Sequence, residues 1–258
     1  MKNSALIIVT LVLLNQLYTN KVRADPIDSA EHIDSRLQHL IKRFDIMAKR
    51  FKEDYLPELQ NLKSTFEKAL TKDSLKDKIL LLETYSDKLN LKFANYFHDE
   101  LDKQFFNEDM QLTRWYVQEI LPDLKGKFAN EAKQFLEKIQ KAYTEEDLDR
   151  KVELYNQAAD VTSDEFWDYL NDTPEPEPVL NVHLKFFQDC LNYLLKERLV
   201  EPFEEQIRNI YEQVQNAIIN QDYKDKLRVV EIFDDVSTTL GKFLNEKVIE
   251  YEIHKFGE

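Results

Sequence analysis

Five histidines, His32, His39, His98, His183 and His254, are the side chains best suited to proton transfer or metal ligation near neutral pH. None stands in His-Glu-x-x-His, and none follows a glutamate at the three-residue spacing that helical di-metal sites use. "FHDELD" sets His98 beside Asp99, Glu100 and Asp102, but adjacent residues diverge around a helix, so the stretch reads as a solvated polar face. The acidic runs "TEEDLD" and "TSDEFWD" lack the alternating oxygen ligands and central glycine of a calcium loop, and suit helix N-termini better. There is no phosphate-cradling glycine loop and no Gly-x-Ser-x-Gly elbow. The motifs assign no catalytic, metal or cofactor residue, and the expectation is a protein that binds without catalysing.

Aromatic residues are the more informative side chains: 16 Phe, 12 Tyr and 2 Trp. They cluster in "TRWYVQEIL" with Trp115 and Tyr116, in "DEFWDYL" with Phe166 and Trp167, and in "LKFFQDCLNYLL". At helical spacing such residues are core more often than pocket. Because Phe166 and Trp167 are adjacent, one of them is expected to face outward, where a tryptophan can anchor a partner. Trp115, Tyr116, Phe166 and Trp167 are therefore the candidate contacts for a partner or ligand.

These side chains must be carried on helices. Only 3 glycines and 7 prolines punctuate 258 residues, too few for a sheet of tight hairpins. Apolar residues recur at three- and four-residue steps, as in Leu59, Leu62, Phe66, Ala69 and Leu70, and again in Leu75, Ile79, Leu82, Tyr85 and Leu89. The fold class is all-α, an antiparallel helical bundle of about three hairpins.

"KALTKDSLKDKI" at 68–79 reads as the seam of one such hairpin, and "KAYTEEDLDRKV" at 141–152 and "NAIINQDYKDKL" at 216–227 resemble it. Aligned without gaps, the three share Ala69, Ala142 and Ala217, and Lys78, Lys151 and Lys226. Around them Leu59, Leu62 and Phe66 match Ala132, Phe135 and Ile139, and then Ile207, Ile210 and Val214. In the middle copy Thr144 is expected to cap the second helix, with Asp147 reaching back; Thr71 or Ser74, and Asn220 or Asp222, serve in the others. The stripe match ends downstream, where Leu89 faces Thr162 and Ser237. Candidate repeats are 39–106, 112–170 and 182–256 within one domain, 25–258.

Pro57, Pro122 and Pro202 fall in the first helix of each candidate unit, and should kink it or begin a new one. "NDTPEPEPVLN" at 171–181 reads as an extended Pro-Glu loop, with Asn171 in a possible glycosylation triplet.

Residues 1–24 carry Lys2, an apolar run from Ala5 to Leu14 and a small-residue site before Asp25, the pattern of a signal peptide and a secreted, extracellular protein. The run is about half the roughly 20 residues of a spanning helix, so no stable membrane anchor is expected. Removing 1–24 leaves 32 basic against 49 acidic residues, a net charge of −17. Such a surface repels nucleic acid and anionic headgroups and favours cationic partners. Cys190 is the sole cysteine and shares a helical face with Phe187, Leu191 and Leu194, so a buried thiol and a monomer are expected, with a disulfide dimer if it is exposed.

In its leader, acidity, helicity and lack of disulfides the chain resembles the small acidic all-helical proteins that arthropods secrete in saliva and other fluids. That resemblance implies sequestration of a molecule rather than its transformation. The leading expectation is a secreted binding protein that engages a protein partner through acidic helical faces. Two alternatives are a carrier of a small apolar or amine-bearing ligand between helices, and a lipid-interacting amphipathic protein, which the scarcity of surface cations disfavours.

Overall fold

The computed structural model describes residues 30–257 apart from 173–174, 221 and 236. The expected leader, and Thr173, which completes the glycosylation triplet begun at Asn171, lie outside the described residues. Among those residues there are eleven α-helices and no strand: α1 (Ala30–Met47), α2 (Leu56–Leu70), α3 (Leu75–Ser86), α4 (Leu91–Ile120), α5 (Gly126–Tyr143), α6 (Leu148–Ala159), α7 (Asp164–Leu170), α8 (Glu177–Lys196), α9 (Glu204–Asn220), α10 (Tyr223–Asp234) and α11 (Thr239–Phe256). The all-α bundle read from the sequence is the observed architecture.

The chain forms two compact units, which divide within α4. The first holds the described residues through Phe106, with Gly257. Its core comes from one face of each helix: Leu37 and Phe44 of α1, Leu62 and Phe66 of α2, Leu82 of α3, and Phe93 and Phe97 of α4. Phe44 sits at the centre, tilted against Phe66 at 5.3 Å and edge-on to Phe97 at 5.2 Å. The second unit, Asn107–Phe256, packs α8 against α9, α10 and α11 over Leu184, Leu191, Val214, Phe233 and Leu244. In the same unit α5 lies along α6, burying Phe135, Ile139 and Ala142 beside Ala158.

The three seams fold as hairpins, α2–α3, α5–α6 and α9–α10, each pair in contact across its turn. Their boundaries keep one register. The second helices begin at Leu75, Leu148 and Tyr223 and end at Ser86, Ala159 and Asp234, offsets of 73 and then 75 residues. The correspondence continues past the point where the apolar stripes part, because α4, α7 and α11 begin at Leu91, Asp164 and Thr239 with the same offsets. Asn90, Ser163 and Thr238 precede those starts, and their carbonyls accept the first helical bond from Ala94, Trp167 and Lys242. Asp87, Asp160 and Asp235 follow the second helices, and each amide closes on the carbonyl four residues back.

Two local expectations are corrected. Thr144 does not cap the helix after it; its hydroxyl donates back to the Gln140 and Lys141 carbonyls, and Asp147 is the cap, accepting from the Arg150 amide at 2.9 Å. A threonine three residues short of the N-cap still lies within reach of the last turn behind it, whose carbonyls lack partners. The Pro-Glu loop is also shorter than 171–181, since α8 starts at Glu177 with Pro178 in its first turn. A proline there lacks only an amide hydrogen that the helix does not use. Among the described residues no proline falls beyond the first turn of an α-helix: Pro57 lies in the first turn of α2, Pro122 in the 3-10 turn Leu121–Asp123, and Pro202 in the turn before α9. The prolines divide helices rather than bend them.

Candidate functional site

Lys78, Lys151 and Lys226 are the charged residues common to all three seams, and all three are buried, at 2%, 4% and 2% exposure. Each sits in the first turn of a second helix, one residue past the amide that binds the N-cap Ser74, Asp147 or Asp222. From there the lysine chain reaches back. Lys78 Nζ lies 3.4 and 3.5 Å from the carbonyls of Ala69 and Leu70, and Lys151 Nζ lies 3.1 Å from that of Tyr143. Leu70 and Tyr143 hold the same position in their copies, the last residue of the first helix. The ammonium thus supplies hydrogens and positive charge at the negative end of the helix dipole. Carboxylates complete two of these sites: Asp34 at 2.6 Å from Lys78, and Glu177 at 2.7 Å from Lys226. Lys78 and Lys151 thus tie the two helices of their hairpins together, whereas Lys226 ties its hairpin to the first turn of α8 through Glu177.

Surface chemistry gathers on the second unit, where α8 and α11 lie side by side. Asp189 and Tyr193 of α8 and Glu197 at its C-cap fall at four-residue steps, and Tyr251 and His254 at a three-residue step on α11, so both sets face the same groove. The groove is open to solvent and encloses about 430 Å³. The His254 ring stacks on Tyr193 at 4.5 Å, and Tyr251 lies 5.5 Å from the same ring. Next to it the Lys255 ammonium sits 4.3 Å from the Trp115 centroid and 5.4 Å from Tyr251, and its Nζ is 3.1 Å from Asp189 Oδ2. Burial, with the charge of Asp189 adding to it, pushes the Tyr251 phenol well above its ordinary range.

The sequence-selected aromatics have separate environments. Trp115 packs on Phe186 at 5.7 Å and belongs to the Lys255 cluster. Tyr116, one residue on, faces His183 at 5.6 Å. Its phenol is also pushed up, first by burial and then by Glu175 and Tyr169. His183 Nδ1 lies 2.9 Å from Glu175 Oε2, and the Glu175 carbonyl accepts from the Tyr223 hydroxyl at 3.0 Å, pinning the end of the Pro-Glu connection. Phe166 is fully buried against Phe128, whereas Trp167 is half-buried, edge-on to Phe135 at 5.5 Å. Asn171 is exposed, its amide donating to the Trp167 carbonyl at 2.7 Å. Cys190 is buried, with Sγ 4.0 Å from the Lys247 carbonyl, and burial raises its thiol pKa far above the ordinary value.

Of those candidates only Trp115 adjoins the groove. Tyr193, Tyr251 and His254 escape sequence reasoning because each reads, alone, as one more position of an amphipathic stripe, and the helices that carry them lie far apart in the chain. Among the described residues no group of three or more His, Cys, Asp or Glu is placed to hold a metal ion, and no helix is long and apolar enough to cross a membrane. His98 pairs with Asp102 at 3.0 Å on the surface of α4. Set against known proteins, the chain matches no family model, no curated protein and no solved structure.

Proposed function

We propose that this is a secreted, non-enzymatic binding protein that engages a cationic protein partner through its acidic helical surface. One observation carries the reading: most large apolar side chains are buried in packed helix interfaces, while a groove open to solvent carries Tyr193, Tyr251 and His254 with the carboxylates of Asp189 and Glu197 and the ammonium of Lys196. A carrier of an apolar ligand needs an enclosed apolar chamber instead. The excess of 49 acidic over 35 basic residues supplies a field that attracts cations and accelerates their encounter. Secretion rests on the leader-like character of residues 1–24, and the likeness to arthropod salivary proteins agrees with a sequestering role.

Selection of a random peptide-display library on the immobilised protein tests this without a named partner. Enriched peptides should carry net positive charge and aromatic residues, and lose about tenfold or more in affinity between low and high salt. Enrichment of uncharged or acidic sequences, or binding indifferent to salt, would overturn the reading.

A further inference from the structure

We infer that the groove between α8 and α11 is a binding site for an organic ammonium, whose charge is held by the exposed Glu197 and whose apolar part packs on the half-buried Tyr193 side chain. The inference rests on the reading of the protein as a binder of cations, and gives that reading a place and a ligand chemistry.

The chain already solves this recognition problem beside the groove. Lys255 is a primary ammonium, and the fold holds it against Trp115 at 4.3 Å, with Tyr251, Phe256 and Phe186 between 5.4 and 5.7 Å, and with Asp189 at 3.1 Å. Aromatic faces attract cations through the ring quadrupole, more strongly where water is partly excluded. Tyr251 and Asp189 belong both to that cluster and to the groove wall, so the chemistry that stabilises Lys255 continues into the open space. The rings there are held in place: Tyr193 is braced between His254 and Tyr251, so little side-chain entropy is lost on binding. Glu197, exposed at the C-terminal end of α8, has no lysine among the described residues seated on it in the way that Lys255 occupies Asp189, and it adds to the negative end of the helix dipole. A volume of about 430 Å³ suits an arylalkylamine, in the size range of small-molecule sites. Lys196 lies on the same rim and opposes a cation, which makes it the residue whose neutralisation should improve binding.

Calorimetric titration of the full protein with phenethylammonium chloride tests the site, with 2-phenylethanol as the neutral control. Saturable one-to-one binding of the amine is expected, at least about tenfold tighter than the alcohol. Tyr193→Ala and Glu197→Gln should each weaken it about three- to tenfold, and Lys196→Gln should tighten it; Glu197 and Lys196 are exposed, so their variants fold. Equal affinity for amine and alcohol, no saturable binding, or indifference to Glu197→Gln would overturn the assignment. Hexalysine, titrated in parallel, separates the two readings. If it binds in a salt-sensitive manner while phenethylammonium does not saturate, the groove assignment falls and the acidic-surface reading stands; if neither binds, both fall.

Discussion

The ammonium of Lys151, on the first turn of α6, lies 3.1 Å from the carbonyl oxygen of Tyr143, the last residue of α5. The equivalent lysine, Lys78, makes the same approach to the last carbonyls of α2. One buried side chain therefore closes one helix from the beginning of the next, and fixes the angle at which the pair can fold back. Replacing Lys78 or Lys151 by methionine keeps the chain volume but removes the side-chain donor from the Leu70 or Tyr143 carbonyl and, for Lys78, the partner of Asp34. Each variant should lose about 1–3 kcal/mol of stability in urea unfolding, and arginine should not restore it because its planar head does not fit the same space. An unchanged midpoint for both would remove the capping role.

The caps that open the second helices are the complementary half of the seam. Ser74 and Asp147 each accept from an amide three residues on, and Asp222 accepts from two amides. Alanine at any of the three should cost about 1 kcal/mol. By contrast Thr144→Ala, at the position the sequence suggests for the cap, should cost less than Asp147→Ala, since only its back-bonds at 3.3 and 3.4 Å are lost. Thermal melts of the single variants rank them directly.

Two glycines should behave differently. A Cβ on Gly241 would stand 1.6 Å from the Asp235 carbonyl oxygen, so Gly241→Ala must displace backbone where the turn closes on α11. A loss above about 3 kcal/mol is expected. At Gly126 a Cβ meets nothing within 4 Å, but φ is +59°. Alanine there should cost about 1 kcal/mol, and asparagine less, because the strain is only that of the left-handed backbone.

Buried acids give a pH signature at the alkaline end. Tyr116 and Tyr251 have folded pKa values raised above the unfolded one, chiefly by burial. Above the ordinary tyrosine pKa the unfolded chain loses these protons while the folded chain keeps them, so stability falls as pH rises beyond about 10. Cys190 follows the same sign, beginning at the lower pKa of a free thiol. Spectrophotometric titration should show at least these two tyrosines ionising only with unfolding, and Cys190 should react with a disulfide reagent only in denaturant. A thiol that reacts at once in the native protein would contradict its burial.

Much of the architecture is legible in the sequence because helix periodicity and capping are local. The stripe Leu59, Leu62, Phe66 and Ala69 marks one buried face of α2, and the coincidence of Ala69, Ala142 and Ala217 across a turn marks the seams. The lysine identity is visible too, but its burial is not, since a lysine on an amphipathic helix ordinarily faces water. The recurring Asp87, Asp160 and Asp235 are hidden because the apolar stripes diverge beside them. The groove is illegible for a different reason: it needs α8 and α11 side by side, and no local rule pairs residues 193 and 254.

Amide chemical-shift mapping of the isotopically labelled protein during titration with phenethylammonium chloride locates the ammonium site on the fold. Saturating shifts are expected only in the last two turns of α8 and of α11, around Tyr193, Glu197, Tyr251 and His254, and the midpoint should move about three- to tenfold higher in ligand concentration for Glu197→Gln. Shifts spread evenly over the acidic faces, or centred on α5–α7 around Trp167, would contradict the assignment.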